Sequence, residues 1–487
     1  MLKKLDAFLY GKEIGRFKLH ANGTIGFTYD ELWTGQDISL SLPRARPQNN
    51  ARPFLEGLLP ENSATLRNWE QEYRIPSGDI LGLLSVMGRD APGAIQFTAP
   101  GKPLLQNEPS RAIPLSERQL SLLMSSVLLE EGTWTVPSGQ DMDAPGKFSL
   151  AGQQRKTALY RDADGQWCLP QGRFPSTHIV KPQISEQFPF SDVNEAVCLS
   201  AMRRLGIRAS VETIEMIGGV RASVVERYDR KQTTHGVVQR FHQEDFCQIL
   251  GCLPSHKYEE NGGPSAPVIA QTIRRYAGES DVLEFVSQLA FNVAIAGTDA
   301  HAKNFSLIEG KSRCALAPAY DVASYLYKLD LRDDSTIFKG LRGSLQIGGT
   351  YRLAEIGVAE WVRFARDSGL DSDAVLEIVR RVDEGVVDAV ADSVREFGDY
   401  AVGSPVWDLA RLVENFRSIR TSGRSIGVSV SMVTPKSGQV SSQNDRLEPE
   451  SGMVWVNPYR RKDGVLVRGH WRKPRHSYLD QSSWLYA

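Results

Sequence analysis

One apolar segment constrains the fold more than any other part of this chain. Residues 281–296, DVLEFVSQLAFNVAIA, place apolar side chains at helical intervals, which predicts a buried helix. Gly297 follows the segment directly and favours the end of the helix. The next residues, TDAHAKNFS, are therefore predicted to form a loop on a rigid support, where catalytic side chains are commonly found. The inward helix positions are Val282, Phe285, Val286, Leu289, Val293 and Ala294.

Three polar residues follow this helix at a spacing that indicates phosphoryl transfer. Asp299 and Asn304 lie five residues apart in the loop, and Asp321 comes seventeen residues after Asn304, in APAYDVAS. An aspartate that orients a hydroxyl, an amide oxygen and a second carboxylate are the groups that this chemistry needs. Mg2+ prefers hard oxygen ligands and keeps several waters, so Asn304, Asp321 and the phosphates of ATP would hold it. We therefore predict a kinase that uses ATP and Mg2+, with Asp299 as its catalytic residue.

Two neighbours in the loop each have two interpretations. His301 could bind the metal, although a loop histidine that hydrogen-bonds to backbone is the more common arrangement. Lys303 could contact phosphate oxygens or be solvated, and we favour the phosphate contact.

A lysine and a glutamate upstream complete the expected site. In THIVKP, Ile179 and Val180 precede Lys181 and Pro182 ends the β-branched run, so Lys181 is predicted at a strand end. A lysine there can pair with the α and β phosphates of ATP. Fourteen residues later Glu195 opens an amphipathic helix, where it either forms an ion pair with Lys181 or favours the positive helix N-terminus.

Two further segments have features of a nucleotide cleft. KFSLAGQQRKTALY predicts a hairpin with strands at 148–151 and 157–160. Its backbone N–H groups, helped by Arg155 and Lys156, would lie over the triphosphate, while an ordinary exposed hairpin is the alternative. SVVERYDR predicts a strand at 223–227, whose end would present backbone to adenine as an interlobe hinge.

The order of these segments resembles the HipA family of bacterial toxin kinases. SLAGQQRKTAL is similar to the phosphate loop of the family, THIVKP to its nucleotide lysine, VVERYDR to its hinge, TDAHAKNFS to its catalytic loop and APAYD to its metal-aspartate turn. LSLSLPRARP, FLEGLLPEN and LLSVMGRDAPGAI are similar to its amino-terminal subdomain. The resemblance runs from about residue 5 to residue 420.

The resemblance implies a fold, an activity and partners. The fold would be α+β and two-lobed, like protein kinases and phosphoinositide kinases, with a small N-terminal α+β subdomain and a mostly helical C-lobe. The activity would be phosphorylation of a serine on a protein; for the best-known member this protein is glutamyl-tRNA synthetase, and its inactivation halts translation and causes dormancy. The partner would be a small helix-turn-helix antitoxin, HipB, which autoregulates an operon. Operator DNA is then expected only through the antitoxin, since this chain has no homeodomain, zinc-finger or basic-zipper signature of its own.

The resemblance also assigns roles to individual residues. Ser149 aligns with the serine that these kinases phosphorylate on themselves, which ejects the phosphate loop. A phosphate there would bring nearly two negative charges beside the γ-phosphate, so repulsion accounts for the ejection; a strand serine that is never modified is the alternative. The implied metal ligands are Asn304 and Asp321. The implied nucleotide-binding residues are Ala151, Gly152, Gln153, Gln154, Arg155, Lys156, Lys181, Glu226, Arg227, Tyr228, His301, Ala302, Lys303, Asn304, Tyr320 and Asp321.

Composition agrees with a cytoplasmic enzyme. The net charge of −1 gives no global field that would draw the chain to nucleic acid or membrane. No run of eighteen apolar residues exists, so no membrane span is predicted, and the amino terminus does not fit a secretion signal. The 5 cysteines are odd in number and contain no CxxC pair, so neither a disulfide framework nor a structural zinc site is expected.

The expected domain organisation has five parts. In residues 453–487, basic and aromatic side chains alternate in a way that suits nucleic acid, with the phosphate backbone paired to the charges and the bases stacked on the rings. A solubilising appendage or a protein-docking tag is the favoured alternative. Within the lobes, Glu244 and Asp245 are assigned to packing because neither has a visible lysine or metal partner nearby. The parts are an amino-terminal subdomain at 1–105, a kinase amino lobe at 110–245, a helical carboxy lobe at 246–420, a flexible linker at 421–452 and a basic aromatic hairpin at 453–487.

Two other functions remain open. A small-molecule or lipid-headgroup kinase could use the same site, and no sequence feature separates it from a protein kinase. An idle scaffold that binds an antitoxin and DNA is disfavoured, because Lys181, Asp299, Asn304 and Asp321 are all intact.

Overall fold

The structure is a computed structural model in which two compact units divide the chain, residues 1–427 and residues 428–487. It describes residues 1–46, 50–102, 110–129, 152, 154–183, 189–233, 237–310, 313–330, 332 and 335–422, and the backbone of four short strands between residues 454 and 472.

The first unit begins with a small α+β subdomain. Its elements are β1 (Lys4–Leu9), β2 (Lys12–Leu19), β3 (Ile25–Tyr29), α1 (Arg52–Glu56), α2 (Ser63–Glu72), α3 (Ile80–Met87) and β4 (Ile95–Thr98). The strands form an antiparallel sheet in the order β3-β2-β1-β4. The ring of Phe17 on β2 lies 6.3 Å from that of Phe54 on α1 and 6.0 Å from that of Phe97 on β4, so a buried aromatic cluster joins helix to sheet.

A six-stranded antiparallel sheet comes next and carries the upstream lysine. Its elements are β5 (Arg111–Pro114), α4 (Glu117–Leu129), β6 (Thr157–Arg161), β7 (Trp167–Gln171), β8 (His178–Pro182), α5 (Ser191–Arg204), β9 (Glu212–Ile217) and β10 (Val220–Glu226). The strand order is β5-β7-β6-β8-β10-β9. Lys181 is the penultimate residue of β8 and lies opposite Ser223 of β10, so the predicted position at a strand end is confirmed.

The remainder of the first unit is mostly helical. Its strands are β11 (Arg230–Gln232), β12 (Val238–Arg240), β13 (His242–Asp245), β14 (Ser306–Glu309), β15 (Cys314–Leu316), β16 (Arg342–Ile347) and β17 (Thr350–Arg352). Its helices are α6 (Phe246–Leu250), α7 (Ala266–Tyr276), α8 (Glu279–Ala294), α9 (Ser335–Lys339), α10 (Val358–Ser368), α11 (Ser372–Glu396), α12 (Gly398–Ala401) and α13 (Leu409–Ser422). All six predicted inward positions of 281–296 are buried on α8, so the predicted buried helix is confirmed.

In the described part of the second unit, 428–487, the backbone forms four short strands. They are β18 (Val454–Val456), β19 (Tyr459–Arg460), β20 (Leu466–Val467) and β21 (His470–Arg472). β18 pairs antiparallel with β21, which places Trp455 opposite Trp471, and β19 pairs antiparallel with β20. Over the described residues of the whole chain, no helix has the length and apolarity that crossing a membrane requires.

Candidate active site

Lys181, near the end of β8, and Glu195, on α5, form a buried ion pair. Lys181 Nζ lies 2.8 Å from Glu195 Oε1 and 2.9 Å from Oε2, so the glutamate holds the lysine with both oxygens. Burial by itself lowers the pKa of Lys181, but the carboxylates of Glu195 and Asp321 outweigh it and hold that pKa above its ordinary value. Of the two interpretations of Glu195, the structure therefore contains the ion pair.

Asp321 approaches the same lysine from the helical lobe. Its Oδ1 lies 3.6 Å from Lys181 Nζ, and 48% of its side chain is accessible. Its φ of +57° is left-handed, a conformation that Asp tolerates better than most residues and that is concentrated at functional sites. Burial raises the pKa of Asp321, but the ammonium groups of Lys181 and Lys156 bring it below its ordinary value. The carboxylate is therefore ionised at neutral pH.

Asp299 lies in the loop that follows α8. A Cβ at Gly297 would lie 2.5 Å from Asn292 Oδ1, so a larger residue at the helix exit would require the Asn292 side chain to shift. Asp299 Oδ1 accepts a hydrogen bond of 2.7 Å from the Tyr258 hydroxyl, and 41% of the aspartate side chain is accessible. Burial raises the pKa of Asp299 to about 6, although the Lys257 ammonium and the Tyr258 hydroxyl oppose that rise. A carboxylate whose pKa lies close to neutral pH suits a general base.

The Asn304 side chain hydrogen-bonds to the backbone of both Asp299 and Asp321. Its side-chain nitrogen Nδ2 donates to the Asp299 carbonyl at 2.8 Å and to the Asp321 carbonyl at 3.4 Å. These two bonds use the donor end of the amide, which leaves the acceptor oxygen Oδ1 for another ligand. Asp299, Asn304 and Asp321 therefore belong to one cluster, beside the lysine of the opposite lobe.

The structure corrects the sequence interpretation of Lys303. Lys303 Nζ donates to Asp245 Oδ2 at 2.6 Å and to the Gly57 carbonyl at 3.3 Å, and its side chain is 5% accessible. The favoured phosphate contact is therefore replaced by a buried structural ion pair. The sequence showed no lysine partner for Asp245, but the structure pairs it with Lys303, and this ion pair explains its packing role.

His301, in the loop that follows α8, is buried against Tyr258. Its Nε2 lies 3.9 Å from Asp299 Oδ1, and its ring meets the Tyr258 ring edge-on at 5.0 Å. Its Nδ1 has no hydrogen-bond partner among the residues that the structure describes. Burial, reinforced by the Lys257 ammonium, holds the pKa of His301 well below its ordinary value, so the ring is neutral. Next to it, Ala302 is fully buried.

The Arg227 guanidinium, in the hinge that was assigned to adenine, is bound by other protein groups. Arg227 is buried in ion pairs with Asp229 at 2.8 Å and Asp90 at 3.4 Å, so its guanidinium is committed to structure. The backbone N–H groups of Glu226 and Arg227 donate to the carbonyls of Val211 and Thr177. The Glu226 side chain is exposed. The expected adenine contact from Arg227 is therefore corrected.

Two tyrosines stack beside this hinge. The rings of Tyr228 and Tyr320 lie 5.6 Å apart at an interplanar angle of 28°. Tyr228 donates to Gln243 Oε1 at 2.6 Å, and Tyr320 donates to the Lys303 carbonyl at 2.7 Å. Both hydroxyls therefore bind protein groups, and the stacked rings connect the hinge to the catalytic loop.

Part of the predicted phosphate loop can be placed. Gly152 has a φ of +106°, and a Cβ there would lie 2.6 Å from Lys156 Nζ, so this lysine folds back against the turn. Burial, followed by the repulsion of Lys181, lowers the pKa of Lys156 to about 8. Arg155 donates to the Leu128 carbonyl, and Gln154 is exposed. The predicted strand 148–151, with Ser149 and Ala151, and the turn residue Gln153 lie outside the described residues.

Sequence reasoning missed three residues of this site. Tyr258 binds Asp299, and its neighbour Lys257 donates from Nζ to Glu61 Oε2 at 2.7 Å. Glu61 lies in the segment FLEGLLPEN, which signalled only family resemblance. No periodicity or spacing connects these positions, because 196 residues separate Glu61 from Lys257.

The chain is similar in sequence and fold to one family of known proteins. Residues 5–98 match the HipA N-terminal domain, and residues 148–390 match the HipA-like C-terminal domain. The Sinorhizobium fredii protein named "Putative kinase Y4mE" is 34% identical over 406 residues, which cover 81% of this chain and 91% of that protein. The serine/threonine-protein kinase toxin HipA of Shewanella oneidensis is 28% identical over 321 residues, which cover 62% of this chain and 69% of that protein.

The fold is similar to a solved structure. The chain resembles Shewanella oneidensis MR-1 HipA, solved with HipB and its operator DNA, at a TM-score of 0.69 and 22% identity. The match covers 87% of this chain and 100% of that chain. The α+β, kinase-like fold expected from the sequence is therefore confirmed.

Proposed function

The chain belongs to the HipA family of kinases, and we propose that it is an ATP- and Mg2+-dependent protein serine/threonine kinase. One observation carries the proposal. Asn304 joins the backbones of Asp299 and Asp321, and the Asp321 carboxylate lies 3.6 Å from a lysine that Glu195 holds. A base, two oxygen ligands and a phosphate-binding cation thus surround one cleft, as phosphoryl transfer requires.

The donor groups of the cleft fit a magnesium ion. Asp321 offers an ionised, accessible carboxylate, and Asn304 offers the oxygen of an amide whose nitrogen is already bound. In the described part of the chain, no group of three or more His, Cys, Asp or Glu residues could hold a metal. A site with so few protein ligands suits Mg2+, which takes its other ligands from water and nucleotide phosphates. When bound, the ion would neutralise charge on the phosphates.

The protein groups would divide the remaining work between them. Lys181, kept charged by Glu195, would bind the α and β phosphates, and Lys156 would add a second cation beside Gly152. Asp299 would orient the incoming hydroxyl and accept its proton, for which a pKa of about 6 is favourable. The Tyr258 hydroxyl holds the carboxylate in place from one side.

The finer biological role is proposed by analogy with the relatives. The solved Shewanella protein is bound to HipB and operator DNA, and we extend a small helix-turn-helix partner of that type to this chain. The substrate would be a serine on a translation component such as glutamyl-tRNA synthetase, in the cytoplasm. Autophosphorylation of Ser149 would switch the enzyme off by charge repulsion at the phosphate loop.

Labelling with radioactive ATP tests the activity. We expect the purified full-length protein, given γ-labelled ATP and Mg2+, to label protein bands of a cell extract. Asp299→Asn is expected to abolish the label, while Asp367→Asn, which changes an exposed carboxylate on α10 that is not among the candidate-site residues, keeps it.

The place of the label decides between the alternatives. Label only in small metabolites would support a small-molecule kinase, and no label at all would support an idle scaffold. Equal labelling by Asp299→Asn would contradict the assignment of the base.

A further inference from the structure

A loop of the amino-terminal subdomain reaches the candidate site from outside the two lobes. The loop, residues 57–62, follows α1. The Glu61 backbone N–H donates to the Gly152 carbonyl at 3.1 Å, and its side chain accepts from Lys257 Nζ at 2.7 Å. The carbonyl of Gly57 accepts from Lys303 in the catalytic loop. One loop therefore touches both the phosphate-loop turn and the catalytic loop.

Lys257 connects this contact to Asp299 in two ways. Its carbonyl accepts a hydrogen bond of 3.2 Å from the Ala302 N–H of the catalytic loop. Its neighbour Tyr258 donates to Asp299 Oδ1 at 2.7 Å, and Lys257 Nζ lies 5.4 Å from the Tyr258 ring centroid. A displacement of Lys257 would therefore disturb both the loop backbone and the hydroxyl that holds the proposed base.

Burial of the Glu61–Lys257 ion pair has a cost in free energy. The side chains are only 13% and 6% accessible, so both charges have lost most of their water. Glu61 Oε1 is buried and has no hydrogen-bond partner among the described residues. An unsatisfied buried oxygen costs about 1–3 kcal/mol, and apolar residues often replace buried ion pairs without loss of stability. The arrangement favours a functional role over simple packing.

We propose that Glu61 is a positioning residue which, through Lys257, holds the catalytic loop in register with the phosphate loop. Its kinetic consequence rests on the proposed function. The link to Gly152 is made by backbone, so a change of the Glu61 side chain leaves that link intact. The link to Lys257 is made by the carboxylate, so the same change loosens only the catalytic loop. The amino-terminal subdomain is then part of the catalytic machinery rather than an appendage.

Hydrogen exchange tests the positioning without any assumption about activity. In the full-length protein, Glu61→Gln and Lys257→Met are expected to raise the exchange rate at the Ala302 amide about tenfold, because local opening becomes easier. Glu56→Gln is the matched control, since Glu56 lies in the same subdomain but pairs with Arg52 at the surface. Unchanged exchange at Ala302 in Glu61→Gln, with Tm retained, would overturn the proposal.

Kinetics test the consequence for catalysis. Glu61→Gln and Lys257→Met are each expected to lower kcat about tenfold, as small misplacements of reacting groups do. KM for ATP is expected to stay within about twofold, and the double variant to lose no more than either single one, because both act through one contact. Additive losses, or an equal loss in Glu56→Gln, would contradict the proposal. A parent protein that transfers no phosphate but shows the exchange effect would refute the proposed function and leave the positioning intact.

Discussion

Two clusters of charge in the first unit have similar composition but differ in their access to solvent. At the hinge, Asp90 pairs with Arg230 at 2.9 Å and with Arg227 at 3.4 Å, and all three side chains are no more than 3% accessible. In the cleft, the side chains of Asp321 and Asp299 are 48% and 41% accessible. A closed cluster satisfies its charges internally and holds structure, whereas an open one keeps lone pairs for a ligand.

Nearby cations, rather than access to solvent, separate the pKa values of Asp90 and Asp299. Burial raises the pKa of Asp90, but the surrounding arginines outweigh it and hold that pKa far below its ordinary value. Burial also raises the pKa of Asp299, where one lysine and one hydroxyl oppose it only in part, so the value reaches about 6. Neighbouring cations therefore hold the pKa of Asp90 and of Asp321 below the ordinary value, whereas they only partly offset the rise at Asp299.

The same substitution in the two clusters is the sharpest test of this contrast. Asp321→Asn is expected to lower the labelling rate by at least about a thousandfold, because a bound metal stabilises the transition state by several kcal/mol. Its unfolding free energy is expected to change little, since Asn also tolerates the left-handed backbone at this position. Single-turnover labelling and urea unfolding measure the two effects. A strongly destabilised variant would show that Asp321, like Asp90, mainly stabilises the fold.

Asp90→Asn is expected to show the opposite pattern. It removes one of the two carboxylates that pair with the buried Arg227 and Arg230 and leaves Asp229 as the other, which lowers the free energy of unfolding by about 3 kcal/mol. The labelling rate per folded molecule is expected to remain near that of the parent, because Asp90 lies outside the cleft. Urea unfolding followed by labelling of the folded fraction gives both numbers.

Acid titration provides the control for that variant. The Asp90 pKa is depressed in the folded state, so its stabilising contribution is present above the unfolded pKa of about 4 and is lost as pH falls below it. In that window the parent is expected to lose up to about 1.4 kcal/mol per pH unit more than Asp90→Asn does. If the free energy of unfolding falls equally with pH in both proteins, the Asp90 carboxylate does not stabilise the folded state.

The sequence was sufficient for features that depend on local pattern. The periodicity of 281–296 located α8, and the β-branched run before Pro182 located Lys181 near the end of β8. Each signal lies within a few residues, where helix and strand geometry repeat predictably. The candidate site is assembled from these same segments, which explains why their order alone indicated a nucleotide cleft.

The features that sequence reasoning missed depend on contacts between distant segments. Lys303 meets Asp245 across 58 residues, and Lys257 meets Glu61 across 196. No local pattern identifies which of several acids a lysine will contact, because that choice is made when the subdomains pack. Arg227 was misassigned for the same reason: its place in the hinge strand was predictable, but its partner Asp90 lies 137 residues away.

The smallest expected effect separates the hinge backbone from its side chains. Glu226→Ala is expected to change KM for ATP by less than about twofold, because substitution of an exposed side chain usually has a small effect. The N–H of Glu226 already donates to Val211, so that bond holds the strand whatever the side chain is. Steady-state labelling over a range of ATP concentrations measures the effect, with Lys181→Met as the variant that loses nucleotide contacts. A tenfold rise of KM in Glu226→Ala would place adenine against that carboxylate and extend the open cluster into the hinge.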